Sequence, residues 1–120
     1  MTILCYHAVD AEWESSLAVR PGEFAEHMAW LARRRHIVDL PSALDHLDGR
    51  GRLPRGMAAL TFDDGFASVH QHAWPVLRAA SIPVALFVVA GTLASPPRTV
   101  DWVDDLPPWP LATLRLEDEL

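Results

Sequence analysis

The sequence contains no lysine. Its ten basic residues are all arginine, set against sixteen acidic ones, for a net charge of −6. That shortage of positive charge argues against nucleic-acid binding, which needs a basic face to neutralise phosphates. The missing lysine reflects codon bias: the two side chains are not interchangeable at specific sites, and no fold requires excluding one of them. There is one cysteine, Cys5, which excludes an intrachain disulfide and a cysteine-built zinc site. It lies in an apolar run and is expected to be a small buried thiol. No run reaches the roughly 18–20 apolar residues of a membrane helix. The opening MTILCYHAVD lacks the basic region and long apolar segment of a secretory signal, so a soluble, cytoplasmic protein is the default expectation.

What is present suffices for a folded core. Half of the 120 residues are hydrophobic, which fits one domain or a piece of a larger one. TILCY (2–6) has strand length, and the stretch after it, to Val19, has no clear period and reads as a loop. From Arg20 the pattern is helical: Pro21 suits a first turn, Glu23 and Glu26 suit the positive end, and Phe24, Met28 and Leu31 make one apolar stripe. Arg33, Arg34 and Arg35 suit its last turn, as a solvated helix end. HIVDL (36–40) is a second strand candidate, followed by a short helix that exits on glycine. GMAALTF (56–62) is apolar almost throughout, as strands covered on both faces are. Residues 67–81 carry a helical period through Val69, Ala73, Val76, Leu77 and Ala80, with Pro75 forcing a start or a kink near Trp74. PVALFVVAG (83–91) is the most strand-like run of all. The region 92–110 is Pro-rich and acidic and reads as a surface loop, and LATLRLEDEL reads as the start of another helix. Strands thus alternate with helices. This predicts an α/β fold with a parallel sheet, open or curled into a barrel, of which this length supplies about half.

Against that frame ALTFDDGFAS (59–68) stands out. Asp63 and Asp64 end the third strand, the end at which active sites of parallel α/β folds gather. Gly65 permits a sharp exit and close backbone approach. Two adjacent carboxylates are costly to keep ionised without a cation. A divalent metal would relieve that cost, one carboxylate ligating it and the other acting as base toward metal-bound water. A helix N-cap accounts for an aspartate here equally well.

LTFDDG (60–65) also matches the first signature motif of the polysaccharide deacetylases, the NodB-homology or carbohydrate esterase family 4 proteins. ILCYHAVD resembles the family's opening strand, PGEFAEHMAWLARRRHIVDL its first helix and second strand, and AWPVLRAASIPVALFVVAG the segment after the motif. The resemblance spans roughly residues 2–93. It implies a distorted (β/α) barrel of the NodB type, with residues 1–120 as the N-terminal part of its catalytic domain. It implies a hydrolase that removes acetyl groups from N-acetylated, or sometimes O-acetylated, carbohydrate, with a divalent metal, usually zinc. Carried over, Asp63 would be the general base and Asp64 a metal ligand, which polarises the carbonyl and stabilises the oxyanion through the ion. The family's other ligands come from a His-[Ser/Thr]-x-x-His motif. This sequence has no H-x-x-x-H, no Arg-x-Pro-Tyr and no late Leu-x-His. The expectation is therefore a truncated chain, inactive alone and weak in metal affinity, with a non-catalytic binding or interaction module as the alternative.

Of six histidines, His7 ends the first strand on the same edge as Asp63 and Asp64 and is a candidate second-shell or pocket residue. His70 and His72 point about 200° apart on a helix, poor for one metal. His27 pairs with Glu23 as a surface contact, and His36 and His46 have no partner in sequence. A haloacid dehalogenase-type phosphatase would need its two aspartates separated by one residue. No G-x-S-x-G exists for an α/β-hydrolase. Half a barrel exposes a sheet edge, so self-association is expected.

Overall fold

A computed structural model describes residues 2–50, 54–93 and 99–115. Six strands and three α-helices follow in order: β1 (Thr2–Tyr6), β2 (Ala8–Val9), β3 (Ala18–Val19), α1 (Pro21–Arg34), β4 (His36–Ile37), α2 (Leu40–Arg50), β5 (Met57–Phe62), α3 (Trp74–Ala79) and β6 (Ala85–Leu86). β5 is the centre of the main sheet and is buried at all six positions. β1 pairs with it in parallel over its whole length, Thr2 with Ala58 through Tyr6 with Phe62. β4 and β6 also pair with it in parallel, β4 at Met57–Ala58 and β6 at Thr61–Phe62. Every strand contact in this sheet is parallel, as alternating strands and helices require. The first strand lies beside the central one rather than beside β4, the next to join the sheet.

The helix face of the sheet carries an aromatic core. Even-numbered residues of β1 point toward α1. Tyr6 meets Phe24 edge-on, with ring centroids 5.3 Å apart, and stacks on Phe62 at 5.5 Å. Phe24, Met28 and Leu31 are the buried stripe of α1, as their spacing predicts. Before α3 the chain makes one wide π-helical turn, Val69–Ala73, closed by the Trp74 amide donating to the Val69 carbonyl. Pro75 then falls in the first turn of α3, where its missing N–H costs nothing.

Several expectations are corrected. Residues 7–19 are not only loop: β2 and β3 form a small parallel pair, Ala8 with Ala18 and Val9 with Val19. The run 83–91 makes only a two-residue strand, because β5 ends at Phe62 and offers Phe87 one last carbonyl, at 2.8 Å. Phe87, Val88 and Val89 are exposed, which leaves them the apolar composition of a buried strand without its neighbours. Residues 111–115 are extended rather than helical, and 116–120 lie outside the described residues. Nor is the C-terminal region purely surface. Val100, Leu111 and Leu114 are buried, and the Trp13 indole donates to the Asp105 carbonyl at 2.7 Å. No helix among the described residues is long and apolar enough to cross a membrane.

Helix α2 owes its start to a residue read above as strand. The Asp39 carboxylate accepts from the Ser42 amide at 2.7 Å, an N-cap bond. Hydrogen bonding from the Ser42 amide and side chain holds its pKa below the ordinary aspartate value. A lowered folded-state pKa contributes stability above the unfolded value and loses it as pH falls through the folded one. We therefore expect Asp39→Ala to lower the urea midpoint at neutral pH, and the difference from wild type to shrink below about pH 4. Asp39→Asn should keep the cap and flatten that acid dependence, read by circular dichroism melts at stepped pH.

Candidate functional site

The site is built where β1 and β5 end together. Side chains alternate faces along a strand, so Ile3, Cys5 and, just past the strand, His7 share the side opposite the aromatic core. Cys5 is paired in register with Thr61. The ladder continues one step beyond both strands, with the Asp63 amide donating to the Tyr6 carbonyl at 2.9 Å. This bond sets Asp63 against the strand end that bears His7. One donor atom each from Cys5, His7 and Asp63 lie within 4.8 Å of one another. His7 and Asp63 are half-buried, while Cys5 is exposed. The expectation of a buried thiol is thus corrected: β1 has a strand on one side only, and the face carrying Cys5 is not the face that packs on α1.

The turn after Asp63 is left-handed at two consecutive residues, with φ of 66° at Asp64 and 64° at Gly65. Asp tolerates that region better than most residues, and glycine adopts it freely. Gly65 is also sterically required. A Cβ built there would lie 2.9 Å from Val88 Cγ1. The turn is pinned from outside by the segment read above as surface loop and helix. The Leu114 amide donates to the Gly65 carbonyl at 2.7 Å, and the Ala67 amide donates to the Ala112 carbonyl at 2.9 Å. No hydrogen bond places Asp63 or Asp64 as the side-chain cap of the helix that follows; the cap position Ser68 makes none either.

The Cys5 thiol has its pKa raised, first by desolvation and then by hydrogen bonding to Asp63 and the negative charges of Asp63 and Asp64, while Thr61 pulls the other way. Tyr6, the neighbour of His7 in sequence, serves the opposite side: its hydroxyl lies 3.3 Å from His27 Nδ1, displacing the expected His27–Glu23 pair. A groove of about 240 Å3 lined by Leu4, Tyr6, His27, Trp30 and Leu31 is on that helix side as well, away from the carboxylates. His46 is occupied by the Ser42 carbonyl at 2.9 Å, and His72 is exposed.

The family model for polysaccharide deacetylases matches residues 50–106, which include this turn. Over part of its length the chain resembles the polysaccharide deacetylases. It is 40% identical to IcaB from Ammonifex degensii, with a TM-score of 0.68 over 77% of this chain and 39% of that one. A de-N-acetylase from Aggregatibacter actinomycetemcomitans, 21% identical, shares the fold with a TM-score of 0.69 over 94% of this chain and 46% of that one. The Bacillus subtilis (strain 168) protein YxkH, named as a polysaccharide deacetylase, is 29% identical over 94 residues, or 78% of this chain. The chain spans 33% of that relative's length. The parallel α/β arrangement seen here is therefore part of the NodB-type deacetylase fold.

The family resemblance calls for a metal held by Asp64 and two histidines. The described residues do not fit that set. Asp64 joins no group of three convergent His, Cys, Asp or Glu donors among them; the group that does converge contains Asp63. Sequence reasoning singled out Asp63 and His7, which meet here, and Gly65 in the turn after them, but passed over Cys5. The signal was its spacing: two residues before His7, it must share a strand face with it.

Proposed function

We propose that this chain takes part in the hydrolytic removal of acetyl groups from N-acetylated, or O-acetylated, carbohydrate, with Asp63 as general base. The observation that carries this reading is the position of Asp63 at the joint end of two parallel strands, fixed by the hydrogen bond from its backbone N–H to the Tyr6 carbonyl and close to His7, in a deacetylase-type fold. In the reaction, the Asp63 carboxylate would accept a proton from the attacking water. The tetrahedral intermediate then releases acetate and the protonated sugar amine or alcohol. His7 would line the pocket and orient the water or the acetyl group. We further propose a divalent ion, zinc by family resemblance, with Asp64 as one ligand and its remaining donors from outside the described residues. When bound, such an ion supplies a Lewis acid for the carbonyl.

The incomplete donor set favours, as a second reading, a module that binds carbohydrate without hydrolysing it. The two readings separate on acetate release from N-acetylglucosamine oligomers and from an O-acetylated sugar. The 120-residue chain alone, with zinc added, is expected to release none. Release abolished by Asp63→Asn would overturn that inactivity and support the base. If the protein in its natural full length releases no acetate from either substrate yet binds the oligomers, the hydrolase reading fails and the module stands.

The open side of β1 and the exposed Ile3, Phe87, Val88 and Val89 would also promote self-association of the isolated chain. Sedimentation velocity over a concentration series is expected to show species larger than a monomer. A single monomeric boundary at all concentrations would refute it.

A further inference from the structure

We propose that Cys5, His7 and Asp63 form a binding site for one thiophilic divalent cation, of the Zn2+ or Cd2+ class, with donors different from the Asp64 ligation that the family resemblance implies. The three side chains come from two strands that the sheet holds in fixed register. Cys5 stands opposite Thr61, and Asp63 is tied by its amide to the residue between Cys5 and His7. Their donor atoms already lie within 4.8 Å of one another. Ligand bonds of about 2.0–2.3 Å put two donors of one tetrahedral ion roughly 3.3–3.7 Å apart. Closing the set therefore asks donor atoms to approach one another by at most about 1–1.5 Å.

The surroundings suit a cation. Asp63 and Asp64 are adjacent carboxylates whose mutual repulsion a positive ion relieves. Cys5 is exposed, so an ion can enter from solvent, and the fourth position is left to water. A thiolate, an imidazole and a carboxylate together favour zinc and cadmium over magnesium or calcium, which prefer oxygen-only sets. On binding, the sulfur–metal bond forms as the thiol proton passes to the buffer, and the ion takes up the Asp63 carboxylate. Under the reading of Asp63 as base, an ion seated here withdraws that base, so the site would be inhibitory.

Cobalt(II) is the probe, because a thiolate bound to it gives a charge-transfer absorption in the near ultraviolet. With one cysteine in the sequence, that band can report only Cys5. Titration of the chain with Co2+ is expected to give the band at one equivalent, displaced by Zn2+. Cys5→Ser should remove the band. His7→Ala and Asp63→Asn should each weaken Co2+ binding by about tenfold or more. Asp64→Asn should keep the band and weaken binding less than His7→Ala or Asp63→Asn does, because it removes a nearby charge and not a donor, and asparagine also tolerates the left-handed backbone there. All variants are compared only after circular dichroism shows wild-type secondary structure. No band in the folded wild type, a band indifferent to His7 and Asp63, or a band lost with Asp64→Asn would overturn the proposal. The readout does not involve acetate release. A chain that fails as a deacetylase can still show the band, and an active one can lack it.

Discussion

On the proposed hydrolase reading, Asp63→Asn is expected to lower acetate release by the protein in its natural full length by about 10²–10⁴-fold in kcat, the usual contribution of a positioned general base. KM should change little, because the substitution removes a proton acceptor and not a binding surface. Asparagine keeps the shape of the side chain. The backbone bond from residue 63 to the Tyr6 carbonyl does not involve the side chain at all, so the fold is retained. Steady-state kinetics on an N-acetylated glucosamine oligomer checks both. A variant with wild-type kcat would remove Asp63 from the role of base.

Gly65→Ala destabilises the chain by about 2–5 kcal/mol, the largest stability effect we expect from so small a change. Two causes add. A residue with a Cβ pays about 1–2 kcal/mol to hold a left-handed backbone, and Gly65 sits at φ 64°. The new methyl also meets Val88 Cγ1 at 2.9 Å, and overpacking of this kind costs about 1–3 kcal/mol. The second cause is separable. In Gly65→Ala/Val88→Ala the overlap is relieved, so the double variant should be less destabilised than the sum of the singles. Val88 is partly exposed, and its own truncation should be mild. Urea denaturation of the four proteins gives the coupling. Strict additivity would show that the close approach of Val88 to the turn does not matter.

The elements with a strong local signal were legible in the sequence. The i, i+4, i+7 stripe of Phe24, Met28 and Leu31 predicts α1 and its buried face, and both are seen. The continuous apolar run ending at Phe62 predicts a strand covered on both sides, and β5 is that strand. The misreadings share one cause, the dependence of a segment on its neighbours. PVALFVVAG has the composition of a buried strand, yet a strand extends only as far as its partner, and β5 ends at Phe62. Leu111–Leu114 looked like a helix start after a loop. It is extended because the Gly65 carbonyl, the Ala67 amide and the Val100 amide, all remote in sequence, bond to it. Asp39 was hidden inside an apparent strand because an N-cap is recognised only once the helix after it is placed.

The same division holds for the site. The sequence by itself determined which groups are candidates for the chemistry: the paired aspartates, the glycine after them and the histidine just past the first strand. Strand alternation and local residue type suffice for that, since they act over a few positions along the chain. Only the tertiary structure decided which of these groups meet. The β1–β5 register brings Asp63, not Asp64, to His7, and adds Cys5, which the sequence reading left as a buried thiol. Which donors converge depends on which strand lies beside which, and that is set by contacts between residues some sixty positions apart, such as Cys5 and Thr61.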